Sequence, residues 1–506
     1  MSTIRSFLAS CGAAALLLGL GCGPKGDYYR GGVYAGRPIT ARLASPSVRE
    51  TTYKGWRSFE LGNGLIAVEV VPEIGGRVIQ FKLGEHEFLW ANPQLAGKLP
   101  PASGLGPKGE WLNFGGDKLW PAPQGWDSEE QWPGPPDPVL DGSPHEIKVL
   151  VAEGNPPRAP NPLPVSVQLT SRKDPRSGIQ FQRVIKVFNN STRVSFEATM
   201  VNVDTKVRRW GIWSNTQLDG GNPLGIGWNP NLIAYCPLNP RSRFPNGYSV
   251  VLGAADNPSY KRTLVNPAYR PDLSRATGRP DPPQNIFRMQ YQYKAGKVGL
   301  DSRSGWVAVV DGTRGMVFVQ RFSFEQGKEY PDGSSVAFWM NGLGTVRAWG
   351  KEVVMKNDPV ENPCVFESEV LGPLAKLQPG DKAVYQYDWY ATRIAGAYPV
   401  LDCTPAGVMV EPFTVRDAGR RLVLGGRFGV FYQGTLWITL FDAAGSRLLS
   451  AQLDTALTPM EPVLLTRNSR FVTPIWAPPT AAEAALLVKD EAGIEIGELA
   501  RAPIQK

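Results

Sequence analysis

Residues 64–90 read "GLIAVEVVPEIGGRVIQFKLGEHEFLW", and their alternation decides the fold class. Leu65, Ala67 and Glu69 alternate with Ile66, Val68 and Val70 before the Gly75–Gly76 pair; Val78, Gln80 and Lys82 then alternate with Ile79, Phe81 and Leu83. A period of two belongs to a pleated strand with two unlike faces, so the stretch predicts two antiparallel strands closed by a tight "LGEHE" turn. Similar runs follow in "PVSVQLT", "IQFQRVIKVFN", "TRVSFEATMVNV", "WGIWSNTQL", "GWVAVVDG", "GMVFVQRFSF" and "SSVAFWMNG". Helical spacing is scarce, while 55 Gly and 46 Pro among 506 residues supply many turns. The expectation is an all-β chain.

A chain of this length exceeds one ordinary core, and the pattern changes after "TRIAGAYPVLDCTPAG" (392–407). Up to that point the strands form one large β domain, residues 51–396. Beyond it, "RLVLGGRFGVF", "TLWITLFDAAGSRLLSAQLD" and "AALLVKDEAGIEIGEL" contain hairpins at "FDAAGSRLL" and "KDEAGIEIG". Their spacing predicts an immunoglobulin-like β-sandwich over 397–506, serving as a spacer or docking module.

The amino-terminal residues read as an export signal, with Arg5 followed by the apolar "SFLASCGAAALLLGLG" (6–21), too short for a comfortable span. Gly21 before Cys22 looks like a lipobox, which would make Cys22 the lipidated residue of a protein anchored at the bacterial cell envelope, although Gly19 departs from the usual Leu. Residues 22–50 then act as a flexible tether. Beyond the signal only Cys236, Cys364 and Cys403 remain, an odd number that cannot pair completely, so no disulfide scaffold is implied. The favoured bridge is Cys364–Cys403, across the domain junction. With no CxxC and only His86 and His145, neither a metal nor a cofactor is expected. The net charge of +8, from 54 basic and 46 acidic residues, is spread along the chain, so no nucleic-acid partner is expected.

Five ordered motifs, "NGLIAVEVVPEIGGRVIQFKLGEHEFLWANP", "NFGGDKLWPAPQGW", "RRWGIWSNTQLDGG", "YPDGSSVAFWMNG" and "FESEVLGPLAKLQPGDKAVYQYDWY", span most of residues 56–392. Together they resemble the DUF4380 group, related to the galactose-mutarotase-like β-supersandwich. That resemblance implies a saccharide-sized cleft, on a fold that hosts enzymes and binding modules alike. Opening a pyranose ring needs an acid and a base within reach of one sugar, and the resembling aldose epimerases use a His and a Glu. Where their His would fall, this chain reads Trp213, Ser214, Asn215, Thr216 and Gln217. His86, between two Glu in a turn, and His145, after "DGSP", read as solvated turn residues. The base is better matched: "CVFESEV" resembles the strand that bears it, and Glu367 and Glu369, two apart, share a face, either as a functional carboxylate or as a salt-bridged pair.

By the same resemblance, "GGDKLWP" lines the mouth of the cleft. Trp120 and Trp126 could offer flat faces to a sugar's C–H side, with Asp117, Lys118 and Gln124 serving its hydroxyls. Core packing for the Trp residues, and an internal Asp117–Lys118 ion pair, is the competing reading. The "IWSNTQL" strand, with Trp213 and Gln217, should face the same cavity. Three functions stay open: a lipid-anchored protein that binds a carbohydrate without turning it over, a sugar-modifying enzyme built on Glu367 or Glu369, and a structural envelope module.

Overall fold

In the computed structural model the described residues are 44–154, 163–260, 262–271, 282–419, 421–466 and 475–506. The expected export signal, Cys22 and most of the tether lie outside them. The described chain is all-β, and almost every strand pairing is antiparallel. The opening stretch forms Ile66–Val71 and Arg77–Leu83, paired from Ile66↔Leu83 to Val71↔Arg77 with one irregularity after Glu69. "LGEHE" is only partly a turn, because His86–Glu87 folds back as a two-residue strand on Lys82 and Leu83.

Among the described residues, two large sheets of twelve and ten strands stack on each other. Between them lies one apolar core that draws Val68 and Phe81 from the first sheet and Phe196, Phe318 and Trp389 from the second. In the centre of the first sheet, Arg77–Leu83, Asp117–Ala122, Arg208–Asp219, Val365–Leu371, Val336–Met340 and Gly296–Leu300 lie side by side in that order. One face of these strands joins the core and the other turns outward, as the pleat requires. Strands from Asp402 onward form a separate eight-stranded sheet curled around its own core of Phe428, Leu436, Ile438 and Leu486. Its hairpins turn at Asp442–Ser446 and Asp490–Ile494.

The expected Cys364–Cys403 bridge is corrected: both thiols are free. Cys403 is buried where the second large sheet meets the carboxy-terminal strands, whereas Cys364 packs against the core between the two large sheets. Burial pushes the Cys403 thiol up to about 12, which keeps it protonated and unreactive. No helix among the described residues is long and apolar enough to cross a membrane.

Candidate functional site

Gly115 and Gly116 deliver the chain into the first sheet with φ of 92° and 70°. A β-carbon on either would come within 2.1 Å of the Trp90 carbonyl oxygen or 2.4 Å of that of Val78, so only glycine fits this close approach. From there Asp117–Ala122 runs antiparallel to Arg208–Asp219, with Lys118↔Asn215 and Trp120↔Trp213. Across the next pairing Asn215↔Glu369 and Gln217↔Glu367 face each other, and beyond it Glu367↔Trp339 and Trp339↔Lys297. Alternation therefore collects Lys118, Trp120, Trp213, Asn215, Gln217, Glu367, Glu369, Trp339 and Lys297 on the outer face.

From that face Trp120, Trp213, Gln217, Glu367, Trp339 and Lys297 line a cavity of about 550 Å³, which also receives Gln124, Trp126, Trp90, Trp111 and Trp349. The volume falls within the roughly 300–1,000 Å³ of small-molecule sites. Glu367 is held from both sides: Asn215 Nδ2 donates to one carboxylate oxygen at 2.9 Å and Gln217 Nε2 to the other at 2.6 Å. Glu369 lies 2.8 Å from Lys297 Nζ, which sits 4.1 Å from the centre of the Trp213 ring. Burial raises the Glu369 carboxyl to about 7; Lys297 opposes that rise and the neighbouring Glu367 charge adds to it.

Lys118 is 2% exposed, and its Nζ has no hydrogen-bond partner among the described residues. It lies 4.7 Å from the Trp120 ring centre and 5.7 Å from that of Trp111. Burial lowers it to about 8, helped by the Arg77 charge and opposed by Glu367, Asp141 and Asp117. Asp141 sets the two rings beside it, accepting from Trp111 Nε1 at 2.6 Å and Trp120 Nε1 at 3.2 Å while pairing with Arg77 at 2.7 Å.

Lys118 and Glu369 share the outer face but are buried and do not line the cavity; of the residues singled out from the sequence, Trp120, Gln124, Trp126, Trp213, Gln217 and Glu367 do line it. Asp117 does not. Its side chain points to the inner face, where it pairs with Arg183 and accepts from Ser214 Oγ at 2.9 Å and Thr216 Oγ1 at 2.6 Å. The Asp117–Lys118 ion pair falls with it, because adjacent strand residues point to opposite faces. For Trp120 the two readings merge, because it is buried in the core cluster and also lines the cavity; Trp126 is part-exposed and lines the cavity without joining that core.

His86 and His145 are not solvated turn residues. His86 is half-buried with its ring edge-on to Phe88 at 4.3 Å, and His145 lies under the Gly75–Gly76 turn; burial lowers both to about 4. Neither is among the residues lining the cavity. Lys297, Trp339, Trp349 and the amide clamp on Glu367 were not foreseen. Alternation within "GKVGL" (296–300) was the available signal for Lys297, since it puts that residue opposite buried Val298.

No family profile matches the sequence and no curated protein matches it. The chain is similar in structure to galactose mutarotase-like proteins. One from Lactobacillus casei has 9% identity over 66% of this chain and 99% of its own, with a TM-score of 0.38. Another, from Clostridium acetobutylicum, has 9% identity over 69% and 99%, also at 0.38. A TPR-domain containing protein from Parabacteroides distasonis has 13% identity over 68% of this chain at 0.40, and the chain spans about half (48%) of it. This likeness concerns the course of the backbone; the chemistry rests on the chain's own side chains.

Proposed function

We propose that this protein binds a carbohydrate in the outer-face cavity, as a member of the DUF4380-like group of mutarotase-like folds. The observation that carries the reading is the juxtaposition of Trp126, Trp213 and Trp339 with the clamped Glu367 in one hollow. Indole faces suit the apolar side of a pyranose, and an oriented carboxylate accepts from its hydroxyls. The proposal includes export and lipid attachment at Cys22, which would hold the cavity at a membrane surface of the cell envelope. Radiolabelled palmitate should enter the wild-type protein and not Cys22→Ser.

A second reading, a sugar-modifying enzyme, is favoured by one observation: Lys118, whose Nζ has no hydrogen-bond partner among the described residues and which burial lowers to about 8, lies near the clamped Glu367 carboxylate of the cavity wall. In that reading the Glu367 carboxylate takes the proton of the anomeric hydroxyl while the Lys118 ammonium gives one to the ring oxygen as the bond from the anomeric carbon to the ring oxygen breaks; the reverse transfers close the ring on the other face. Calorimetric titration against a glycan panel tests the first reading; failure of every glycan to bind would discard it. For a glycan that does bind, exchange NMR at the anomeric carbon separates the two. Glu367→Gln should weaken binding by about 1.5–3 kcal/mol, the worth of a hydrogen bond to a charged group, and should abolish any anomeric exchange.

A further inference from the structure

The cavity continues beyond the hollow already described. A second hollow of about 450 Å³ lies beside it, and among the residues that line both are Trp126, Trp213, Lys297, Val346 and Arg347. Between them stands a two-stranded hairpin, Gly344–Ala348 paired with Lys351–Met355, that belongs to neither large sheet. Val353 lines the first hollow, Thr345 and Glu352 line the second, and Val346 and Arg347 reach both. It leaves the first sheet after Val336–Met340 and reaches the loop that follows Asp117–Ala122, three strand positions away.

Two contacts fasten its end to that loop: Arg347 Nη2 to Asp127 at 2.8 Å, and Trp349 Nε1 donating to the Pro135 carbonyl at 3.0 Å. The turn holds Trp349 at φ 52°, a left-handed conformation that a bulky residue rarely adopts. The position favours glycine or asparagine, so the indole contact is what that tryptophan adds.

We infer that the two hollows are consecutive subsites for one linear oligosaccharide, which passes beneath the hairpin with its chain crossing Trp213 and Lys297. This deepens the carbohydrate reading and rests on it. Each hollow alone has the size of a single-ligand site, so a lone monosaccharide would leave one of them unused. The hairpin would lie over the middle of the chain, and the ends would emerge on its two sides.

Length series of malto-, cello-, xylo- and manno-oligosaccharides, from mono- to hexasaccharide, test this by titration of the full chain. In the series that binds, affinity should rise at least about tenfold from the monosaccharide to the length that fills both hollows, then level off. In Arg347→Ala and Trp349→Ala, both at exposed sites, the ratio of long-chain to monosaccharide affinity should fall several-fold, through faster dissociation of the long chains. Equal affinity at every length would overturn the two-subsite inference and leave the carbohydrate reading standing. No binding at any length in any series would overturn both.

Discussion

Asp117 and Lys118 are neighbours in sequence and opposites in environment. Both are almost wholly buried, one on each face of the same strand. The inner-face residue has Arg183, Ser214 and Thr216 as partners; the outer-face residue has two indole rings and no hydrogen bond among the described residues. A buried charge costs stability unless it is paired, so the first arrangement serves the fold and the second works against it. The outer face keeps its unsatisfied donor within reach of the Glu367 charge, buried against the Trp120 ring that lines the cavity.

Breaking the inner-face arrangement should have the largest effect. Arg183 Nε and Nη1 already lack partners, so Asp117→Ala would leave a buried guanidinium with only the Tyr387 hydroxyl, 2.7 Å from Nη2. Loss of about 3–5 kcal/mol in urea-induced unfolding is expected. A loss below about 1 kcal/mol would mean that the inner network is not what holds these strands in place. On the outer face the sign should reverse. Lys118→Met keeps the apolar stem against Trp120 and removes the unpaired ammonium, so unfolding should become harder by about 1–2 kcal/mol while glycan affinity drops. A Lys118→Met protein that is less stable than wild type would contradict the comparison.

The contrast between the two faces was only half legible in the sequence. Unbroken alternation made Glu367 and Glu369 readable as one face, and made the hairpins around Asp442 and Asp490 readable as turns. "DKLWPA" hid its strand because Pro121 argues against a central position. The structure resolves that conflict. The strand pairs with Arg77–Leu83 only at Val78↔Asp117, so beyond that point one of its edges carries no ladder and a proline is tolerated. Once the strand is missed, Asp117 and Lys118 look like one patch instead of two faces. Lys297 and the hairpin of 344–355 were hidden for another reason: they reach the cavity through sheet order, which brings together segments remote in sequence.

The finest test of the outer face is its pH dependence, because the two shifted groups act in opposite directions. The Glu369 carboxyl, ordinarily near 4.5, stays protonated in the folded chain up to about 7. Between those values the folded state binds more protons than the unfolded one, so stability should fall as pH rises through that range. Lys118, ordinarily near 10.5, loses its proton near 8 when folded. From about 8 upward the unfolded state binds more protons, and stability should rise with pH. The contribution of these two groups is therefore least favourable between about 7 and 8, where Glu369 and Lys118 are charged together. If the ligand recognises that doubly charged state, affinity should peak in the same window. Melting temperature and glycan affinity followed against pH read the two curves. Glu369→Gln should erase the limb below 7 in both, and Lys118→Met the limb above 8. A pair of variants that leaves both limbs in place would show that neither Glu369 nor Lys118 sets this pH dependence.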